Sequence, residues 1–268
     1  MLLKNRIAIV TGGAKGIGKG VVEKFADEGC SVAIADISDA EGKQVADEVT
    51  KSGGNCIFIH CDLTNSSQVK DMVNQTLGRF KKIDILVNVA GGVKAAHREE
   101  NGITAISDEE WEWVINLNLK STFFCCREVV PHMQKNRYGK IINFSSIGAI
   151  APCGSVIAYH AAKGGVLGIT TNLAYDLAPY NICVNAILPG PVRTPFYDAL
   201  TRGFSEEDKD ALFKGMVDRT VPLRRIGTPE DMAGAALFLA SELSAFITGE
   251  HINVAGGIPL IVNRTTSQ

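Results

Sequence analysis

Tyr159 and Lys163, in the segment AYHAAKGG (158–165), are a pair whose types and spacing suggest acid–base chemistry. Residues four positions apart share one face of a helix. A free phenol has a pKa of about 10, and a neighbouring ammonium stabilises the phenolate and lowers that pKa, so the phenol can act as an acid or base nearer neutral pH. Taken alone, however, the pair is common and more typical of an ordinary helix surface.

Two further polar residues strengthen the chemical interpretation. Ser146 ends the predicted strand GKIINFSS thirteen residues before Tyr159, and ligands bind at the carboxyl ends of strands in open α/β sheets. Asn118 lies in the middle of the helical run WEWVINLNLKSTFF. Asparagine is a poor helix-interior residue, so its presence there needs a structural or functional reason.

The glycine-rich segment TGGAKGIG (11–18) follows the first predicted strand and opens the first predicted helix. Glycines let the backbone turn tightly and approach a pyrophosphate, whose charge is favoured by the free N–H groups of a helix N-terminus. Asp36 ends the second predicted strand. A carboxylate there can accept hydrogen bonds from both ribose hydroxyls and repels a 2′-phosphate. The alternative is that Asp36 only shapes a turn.

Lys15, inside the glycine-rich segment, is the one feature that favours NADP over NAD. Its ammonium could pair with the 2′-phosphate of NADP, or it could be a solvated loop residue. A phosphate beside Asp36 would bring like charges together, which is unfavourable in a low-dielectric cleft. We therefore predict NAD as the cofactor rather than NADP.

Short apolar runs alternate with helical patterns along the whole chain. The runs are nearly continuous, which is typical of parallel strands covered by helices on both faces. They are RIAIV (6–10), SVAIA (31–35), NCIFIHC (55–61), IDILVN (83–88), GKIINFSS (139–146), NICVNAI (181–187) and EHINVAG (250–256). Helical patterns at 18–29 and 66–80 lie between them, and Gly29 and Gly78 stand where helices should end. The alternation predicts a single α/β domain with a doubly wound parallel sheet.

Composition excludes several classes of protein. The 268 residues carry a formal net charge of −2 and no long basic block, which gives no case for a nucleic-acid partner. There is no apolar run of about 18 residues to cross a membrane and no signal-peptide pattern. The seven cysteines are scattered and show no metal-ligand spacing, so we expect no metal and buried, reduced thiols in a cytoplasmic protein.

Two segments interrupt the compact alternation. Residues 91–110 form a polar connection after the fourth predicted strand, and residues 193–229 lie between the sixth strand and the next helix. Connections this long are usually binding loops or carry helices of their own. The second contains the amphipathic stretch FSEEDKDALFKGMV, which predicts one or two helices.

Together these motifs resemble the short-chain dehydrogenase/reductase family in both order and spacing. They are TGGAKGIG, Asp36, CDLT (61–64), NVAG (88–91), Asn118, Ser146, YHAAK (159–163) and PGPVRT (189–194). The resemblance extends from residue 5 to about residue 257. It implies a Rossmann-type domain with a seven-stranded parallel sheet, and an enzyme that moves a hydride between a nicotinamide cofactor and a secondary alcohol or ketone.

The resemblance also implies roles for the polar residues. Tyr159 would be the general acid/base at the substrate oxygen, and Lys163 would lower its pKa and hydrogen-bond the nicotinamide ribose. Ser146, chosen over Ser145 by its thirteen-residue spacing to the tyrosine, would hydrogen-bond the substrate carbonyl or alcohol. Asn118 would hold a water that extends the proton relay from Lys163.

By the same resemblance, further residues would bind the cofactor. Asp62 would meet the adenine edge, residues 88–91 would shape the wall near the adenosine ribose, and residues 189–194 would grip the nicotinamide carboxamide and diphosphate. The cofactor-binding set is Gly12, Lys15, Gly16, Ile17, Gly18, Asp36, Ile37, Asp62, Leu63, Asn88, Ala90, Gly91, Tyr159, Lys163, Pro189, Gly190, Val192 and Thr194.

The chain departs from the family pattern at two positions. Val89 replaces the second asparagine of the usual NNAG motif, and Ala255 replaces the commoner aspartate before the paired glycines. We expect the first departure to leave activity intact and the second to affect packing more than chemistry.

The predicted substrate site is mainly apolar. In the family the segment after PGPVRT, here 193–222, closes over the substrate, and in this chain it is rich in apolar side chains. They are Pro195, Phe196, Tyr197, Leu200, Phe204, Leu212, Phe213 and Met216, about half of which should instead pack on the body of the domain. The uncharged residues Ile147, Cys153 and Val156 flank the same place.

Four basic residues could instead meet an anionic tail or a coenzyme A phosphate, although solvated surface charges are the simpler interpretation. They are His97, Arg98, Arg193 and Arg202. We predict a secondary alcohol/ketone pair on an alicyclic, aromatic or acyl-thioester skeleton. The alternative is an NADPH-dependent 3-oxoacyl thioester reductase, and a more remote one is a non-catalytic NAD-binding scaffold, which would not need Tyr159, Lys163 and Ser146 together. By resemblance we expect a homotetramer, with the tail 258–268 either packed on a neighbour or frayed.

Overall fold

Seven strands form one parallel sheet in a computed structural model that describes residues 1–93, 102–151, 156–201 and 203–259. The spatial order is β3-β2-β1-β4-β5-β6-β7, and every neighbouring pair is parallel. The strands are β1 (Ile7–Thr11), β2 (Ser31–Asp36), β3 (Asn55–His60), β4 (Ile85–Asn88), β5 (Gly139–Phe144), β6 (Ile182–Pro189) and β7 (His251–Val254). This confirms the predicted single-domain, doubly wound sheet.

Nine α-helices connect or flank the strands in the described part of the chain. They are α1 (Gly16–Asp27), α2 (Asp39–Lys51), α3 (Ser66–Phe80), α4 (Asp108–Ile115), α5 (Ser121–Asn136), α6 (Ile157–Leu177), α7 (Pro195–Leu200), α8 (Glu206–Thr220) and α9 (Pro229–Ala240). A π-helical turn, Asn116–Lys120, joins α4 to α5. Helices α7 and α8 confirm the prediction of one or two helices within 193–229.

Two apolar cores, one on each face of the sheet, explain why the strands read as continuous apolar runs. Alternate residues of β1 divide between them: Ala8 and Val10 pack with α1, α2 and α9, whereas Ile9 packs with α3, α5 and α6. All residues of β1 and β5 are therefore buried. The edge strand β7 is only partly buried, because it has a strand neighbour on one side alone.

The order of the strands determines where a ligand can bind. The chain builds outward from β1 to β2 and β3, then returns to the other side of β1 with β4. The connections after β1 and β4 therefore leave the sheet in opposite directions and open a crevice at the carboxyl ends of these strands. Both the glycine-rich segment and the segment 88–91 stand at this crevice.

One predicted helix end is wrong. Gly29 does follow the end of α1, with φ of +82°, but Gly78 lies inside α3, which continues to Phe80 and ends at Lys81 with φ of +72°. The apolar side chains of Leu77 and Phe80 pack on the core beyond this glycine, and such tertiary packing outweighs the cost of about 1 kcal/mol that glycine carries inside a helix.

Cysteine burial agrees with the expectation for six of the seven thiols. Cys30, Cys56, Cys61, Cys125, Cys126 and Cys183 are buried and form no disulfide among the described residues. Burial raises the pKa of each thiol for which a shift is resolved, to about 12 for Cys56 and Cys61. Cys153 lies outside the described residues. Within the described ranges, no helix combines the length and the apolar character that crossing a bilayer requires.

Helix α9 begins with a capping box that anchors one side of the crevice. Thr228 accepts a hydrogen bond from the backbone N–H of Asp231, and the Asp231 carboxylate accepts one from the N–H of Thr228. Arg225 also donates to both oxygens of Asp231, at 2.6 and 2.8 Å, and lowers the pKa of that carboxyl to about 2. Gly227, just before the cap, donates to the carbonyl of Pro191 in the crevice wall.

Replacing this carboxylate should destabilise the domain in a pH-dependent way. We expect Asp231→Asn to lower the free energy of unfolding by about 1–2 kcal/mol at pH 7. Because the folded-state pKa is depressed, the wild-type carboxylate stabilises the fold fully above its ordinary pKa and loses that effect as the pH falls from about 4 towards 2. The difference between variant and wild type should therefore shrink in acid.

Denaturant unfolding at pH 7 and pH 3 measures this effect. The control is Glu230→Gln, which removes the same charge from the same first helical turn without touching the capping box. An equal loss of stability in the two variants would contradict the role assigned to Asp231.

Candidate active site

A cavity of about 810 Å³ lies at the carboxyl ends of the strands. It brings together nearly all of the predicted site residues. Those in its wall are Gly12, Lys15, Gly16, Ile17, Gly18, Asp36, Ile37, Asp62, Leu63, Ala90, Gly91, Ser146, Tyr159, Lys163, Pro189, Gly190, Val192 and Thr194. Two predicted residues, Asn88 and Asn118, are buried behind the wall instead.

The glycine-rich turn is shaped so that backbone can approach backbone. Gly12 has φ of +68°, and a Cβ there would lie 2.9 Å from the Cα of Ala90. Gly16 has φ of +54°, and a Cβ on Gly18 would overlap the carbonyl of Gly12. The turn therefore leads directly into the N-terminus of α1, whose first residues lie in the cavity wall, and a helix N-terminus beside a cavity can accommodate a pyrophosphate.

Asp36 links the glycine-rich turn to the start of α2. One carboxylate oxygen accepts from the N–H of Ala14 at 3.1 Å, and the other accepts from the N–H of Ser38 at 2.9 Å. The carboxylate thus has a fixed position at the end of β2 in the cavity wall. It serves as a structural tie as well as a candidate partner for ribose hydroxyls.

Lys15 forms an ion pair with Glu41 on α2. Its Nζ lies 2.6 Å from Oε1 of Glu41, and both side chains are 45% exposed. The hydrogen bond from Lys15 lowers the pKa of Glu41 below its ordinary value. The charge of the loop cation is therefore already balanced within the protein.

Lys163 is the buried centre of the proposed proton-transfer end. Its side chain is 3% exposed, and its Nζ donates to the carbonyl of Phe144 at the end of β5 at 2.8 Å. Burial lowers the pKa of this amine from its ordinary value to about 8. The Nζ lies 5.7 Å from the centroid of the Tyr159 ring, one helical turn away on α6, as the sequence predicts.

Asn118 fills the π-helical turn and holds the backbone next to Gly91. Its side-chain amide donates to the carbonyls of Gly92 and Val114, and its Oδ1 accepts from the N–H of Gly92. A Cβ on Gly91 would lie 2.5 Å from this oxygen and 3.1 Å from Nζ of Lys163. The extra residue of a π turn, a feature frequent at functional sites, explains why an asparagine interrupts the helical run.

Ser145 and Ser146 have distinct environments. Ser145 is buried, and its hydroxyl donates to the carbonyl of Lys163 at 2.8 Å, so it ties α6 to β5. Ser146 lies in the cavity wall, and its Oγ accepts from the N–H of Gly148 at 3.1 Å. Since that bond uses a lone pair, the hydroxyl hydrogen of Ser146 can point into the cavity. The geometry favours Ser146, as the spacing does.

Two other predicted residues make local structural bonds. Asp62 accepts from both the N–H and the hydroxyl of Thr64 and lies in the cavity wall. Asn88 is buried and donates to Oδ1 of Asn143 at 2.9 Å. This bond holds β4 against β5 behind the cavity wall, and the contact of Asn88 with a cofactor stays a prediction.

The two departures from the family pattern are accommodated by the backbone. The N–H of Val89 donates to Oγ1 of Thr11 at 3.1 Å, a contact that needs no particular side chain. Ala255 lies against Gly190, where an added Cβ would come within 2.7 Å of the Cα of Ala255. Residue 255 therefore packs directly on the cavity wall at Gly190, and the effect of alanine in place of aspartate there stays a prediction.

Of the apolar residues predicted for the segment after β6, some lie in the cavity wall and others do not. Pro195, Phe196, Tyr197 and Met216 lie in the cavity wall, together with Ile147 and Val156. The Phe196 ring lies 5.3 Å from that of Tyr159, centroid to centroid. Phe213 is buried against Tyr197, and Phe204 and Leu212 are exposed on the outside. The side chain of Leu200 is not described.

Arg193 is a half-exposed surface charge, as the simpler interpretation of the sequence has it, and not the alternative anion ligand. Its guanidinium pairs with Glu206 and Asp210 on α8, at 3.4 and 2.8 Å, and lies over the Phe213 ring. Arg193 thus fastens α8 to the strand end and is not part of the cavity wall. His97, Arg98 and Arg202 lie outside the described residues.

His160 is a cavity residue that the sequence motif did not single out. It lies in the wall beside Tyr159, and its Nε2 occupies the space that a Cβ on Gly148 would need. Burial lowers the pKa of His160 below its ordinary value. The pairing of a glycine with a ring from another element is not visible in sequence. Leu117, Thr220 and Ile258 also lie in the wall.

The residues present fit a dinucleotide cofactor. The turn from Gly12 to Gly18 leaves room for phosphates where side chains would collide, and Asp36 offers a carboxylate at the end of β2. The same cavity continues to Ser146 and Tyr159, so one bound molecule can span from the phosphate loop to the polar groups. A nicotinamide there would accept or donate a hydride, and the protein need supply binding, orientation and one proton.

Comparison with known proteins shows full-length similarity. A family profile described as Enoyl-(Acyl carrier protein) reductase matches residues 12–259. The (2S)-[(R)-hydroxy(phenyl)methyl]succinyl-CoA dehydrogenase subunit BbsD of Thauera aromatica is 37% identical over 257 residues, covering 96% of this chain and 98% of the relative. The 3-oxoacyl-[acyl-carrier-protein] reductase FabG of Chlamydia pneumoniae is 38% identical over 256 residues, with the same two coverages.

A solved structure agrees with these relatives. The crystal structure of levodione reductase matches with a TM-score of 0.88 and 26% identity, covering 95% of this chain and 98% of that one. Together with the seven-stranded parallel sheet and the cavity at its carboxyl edge, these similarities determine the family and the class of reaction. The chain belongs to the short-chain dehydrogenase/reductase family and is an oxidoreductase that acts on CH–OH groups.

Proposed function

We propose that the protein interconverts a secondary alcohol and a ketone on a mainly apolar substrate, with NAD(H) as cofactor and Tyr159 as general acid/base. The observation that carries the proposal is the placement of Ser146, Tyr159 and the buried Lys163 at one end of the cavity whose other end holds the glycine-rich turn and Asp36. A scaffold without turnover would not need this polar cluster.

Proton transfer at the substrate oxygen falls to Tyr159. The Lys163 amine, 5.7 Å from the ring centroid, carries a positive charge when protonated, and a nearby positive charge favours the phenolate form of a tyrosine. Tyr159 then takes a proton from an alcohol during oxidation or gives one to a ketone during reduction. Phe196, beside the Tyr159 ring, helps to exclude water.

Ser146 orients the reacting oxygen. Because Oγ already accepts from Gly148, its hydrogen can donate to a substrate carbonyl. Asn118 acts indirectly: two of its hydrogen bonds hold the Gly92 backbone and a third reaches the carbonyl of Val114, so it shapes the wall beside Lys163. We also propose that Asn118 supports a water in the relay from Lys163, as the family resemblance implies.

The preference for NAD rests on the charges around the end of β2. Asp36 is fixed by two backbone N–H groups in the cavity wall, where its charge opposes a 2′-phosphate. Lys15, which would favour NADP, is balanced by Glu41. The remaining predicted cofactor contacts, at Ile37, Asp62, Leu63 and residues 189–194, keep the roles that the family resemblance gives them.

The substrate proposal rests on the wall near Tyr159. Ile147, Val156, Phe196 and Met216 are apolar, which suits an alicyclic, aromatic or acyl-thioester skeleton better than a sugar. The Thauera aromatica relative is named for a succinyl-CoA substrate that bears a phenyl group, in keeping with an aromatic acyl thioester. The segment 193–222 would close over this substrate.

A second candidate function is an NADPH-dependent 3-oxoacyl thioester reductase. Lys15 in the cavity wall favours it, as does the name of the Chlamydia pneumoniae relative. The two candidates differ in cofactor, so a comparison of NADH with NADPH separates them.

We also propose a cytoplasmic homo-oligomer, a tetramer by family resemblance. The outer faces of α4 and α5 expose Trp111 and Phe123, which are 42% and 47% exposed, and Gly164 and Gly168 on α6 have open space around their Cα atoms. Exposed large apolar side chains, and small residues with open space around them, both suit close helix packing between subunits.

Removing one oxygen from the general acid/base should abolish turnover but leave cofactor binding intact. We expect Tyr159→Phe to lower kcat by at least about 100-fold while the Kd for NADH changes less than about twofold, since the ring and its contact with Phe196 are retained. Steady-state kinetics on a panel of secondary alcohols, with NADH fluorescence for binding, measures both. Persistent turnover would rule out Tyr159 as the proton-transfer group, and turnover of sugars alone would rule out the apolar substrate.

The Lys163 amine should titrate at a much lower pH than the amines of the other lysines. Burial lowers the pKa of its amine to about 8, whereas ordinary lysines titrate near 10.4. Between these values the unfolded chain holds a proton that the folded protein has released, so this group should make the fold more stable as the pH rises through that window.

NMR of ¹³Cε-labelled lysine should show one resonance with a midpoint near pH 8. Lys163→Met should remove that resonance and leave the others unchanged. A spectrum in which every lysine titrates above pH 10 would contradict the assignment.

Asp36 should control the choice of cofactor. We expect Asp36→Ala to raise kcat/KM for NADPH relative to NADH by roughly tenfold or more, because a like charge near the 2′-phosphate is removed. The variant also loses two acceptors for backbone N–H groups, so a lower melting temperature should accompany the change. Asp36→Asn, which keeps one acceptor oxygen, is the control for this structural part. Equal use of both cofactors by the wild type would contradict the NAD assignment.

A further inference from the structure

We propose that Glu41 is a selectivity-determining residue, which acts through Lys15: by pairing with this loop cation it keeps the ammonium from binding the 2′-phosphate of NADP. Glu41 is not in the cavity wall and would touch no part of the cofactor. It is therefore a positioning residue. The proposal rests on the dinucleotide site proposed above. It deepens that proposal by naming the residue that prevents Lys15 from binding NADP.

The contact between the two side chains is short and specific. Nζ of Lys15 and Oε1 of Glu41 are 2.6 Å apart. In the part of the chain that the structure describes, Lys15 has no ion pair with any other carboxylate. The hydrogen bond also lowers the pKa of Glu41, so this carboxyl is ionised at neutral pH.

The position of Glu41 places it opposite the glycine-rich turn. It lies in the first turn of α2, five residues after Asp36. Asp36 already joins the two elements, since it accepts from Ala14, next to Lys15, and from Ser38, just before α2. The Lys15–Glu41 pair is a second connection between the glycine-rich turn and α2. The hydrogen bonds of Asp36 hold these two segments close enough for the ion pair to form.

The net charge of the residues around the Lys15–Glu41 pair determines how well this end of the cavity tolerates a 2′-phosphate. Asp36, Lys15 and Glu41 together contribute one net negative charge at the adenosine end of the cavity. Without Glu41 the sum is zero, and the ammonium of Lys15 has lost its partner and can donate to a phosphate. A 2′-phosphate should then be tolerated better, while the 2′-hydroxyl of NAD, which carries no charge, should be affected little.

The test measures binding of NADH and NADPH to the purified protein by nicotinamide fluorescence, which needs no substrate. We expect Glu41→Gln to tighten NADPH binding by about three- to fivefold at low ionic strength and to change the Kd for NADH less than about twofold. The gain should shrink at 0.5 M salt, because the interaction is partly exposed and screened.

Two further variants separate this role from a structural one. Asp39→Asn removes the same charge from the same helical turn, but Asp39 pairs with Lys43 and His60 instead of Lys15, so it should leave the NADPH/NADH ratio of Kd values unchanged. The double variant Lys15→Met/Glu41→Gln should lose the gain that Glu41→Gln shows, because the ammonium is gone. Lys15→Met alone leaves the two carboxylates of Asp36 and Glu41 without their cation, so it should shift the ratio further towards NADH.

Each outcome decides the proposal. A ratio that is unchanged in Glu41→Gln, an equal change in Asp39→Asn, or a gain that persists without Lys15 would overturn it. If the wild type binds NADPH as tightly as NADH, the proposed NAD preference fails, but the shift between wild type and Glu41→Gln still tests Glu41 separately. If the wild type binds neither cofactor, the dinucleotide site fails and the role of Glu41 fails with it.

Discussion

The amine of Lys163 is kept inside the protein with a backbone carbonyl, that of Phe144, as its acceptor, and many features around it follow from this burial. Gly91 must lack a side chain because Nζ and the Asn118 amide occupy the space. Ser145 fastens the backbone of Lys163 to the end of β5. An amine so desolvated loses its proton near pH 8, which brings its charge, and hence its influence on Tyr159, close to the physiological range.

The fold and most of the site were predictable because they depend on local patterns that repeat. Continuous apolar runs that alternate with helical patterns are typical of strands buried on both faces, and parallel strands bring their carboxyl ends to one edge. Residues as distant as Gly12, Ser146 and Pro189 therefore meet in one cavity. The four-residue spacing of Tyr159 and Lys163 likewise converts directly into a shared helix face.

Features that depend on tertiary contacts could not be predicted. Gly78 looks like a helix end, yet the packing of Leu77 and Phe80 carries α3 past it. Asn118 is recognisable as an anomaly, but the π turn that accommodates it follows from its bonds to Gly92, which comes from another element. The sequence left Arg193 open as an anion ligand, but in the fold its guanidinium pairs with two carboxylates of α8. Each of these three features depends on contacts formed in the folded domain. The spacing of residues in the sequence does not show which side chains will make those contacts.

The two ends of the cavity differ in how their charges are held, and this difference separates cofactor choice from catalysis. At the adenosine end, Lys15 and Glu41 are half-exposed, and exposed ion pairs contribute little to stability. Substitutions there can therefore change cofactor preference at small cost to the fold. At the other end, Lys163, Asn118 and Ser145 are buried and bonded to backbone, so removing one partner leaves an unsatisfied group and destabilises the domain. Under the proposed function, cofactor selectivity is therefore the property that substitutions can adjust, and proton transfer is the constrained one.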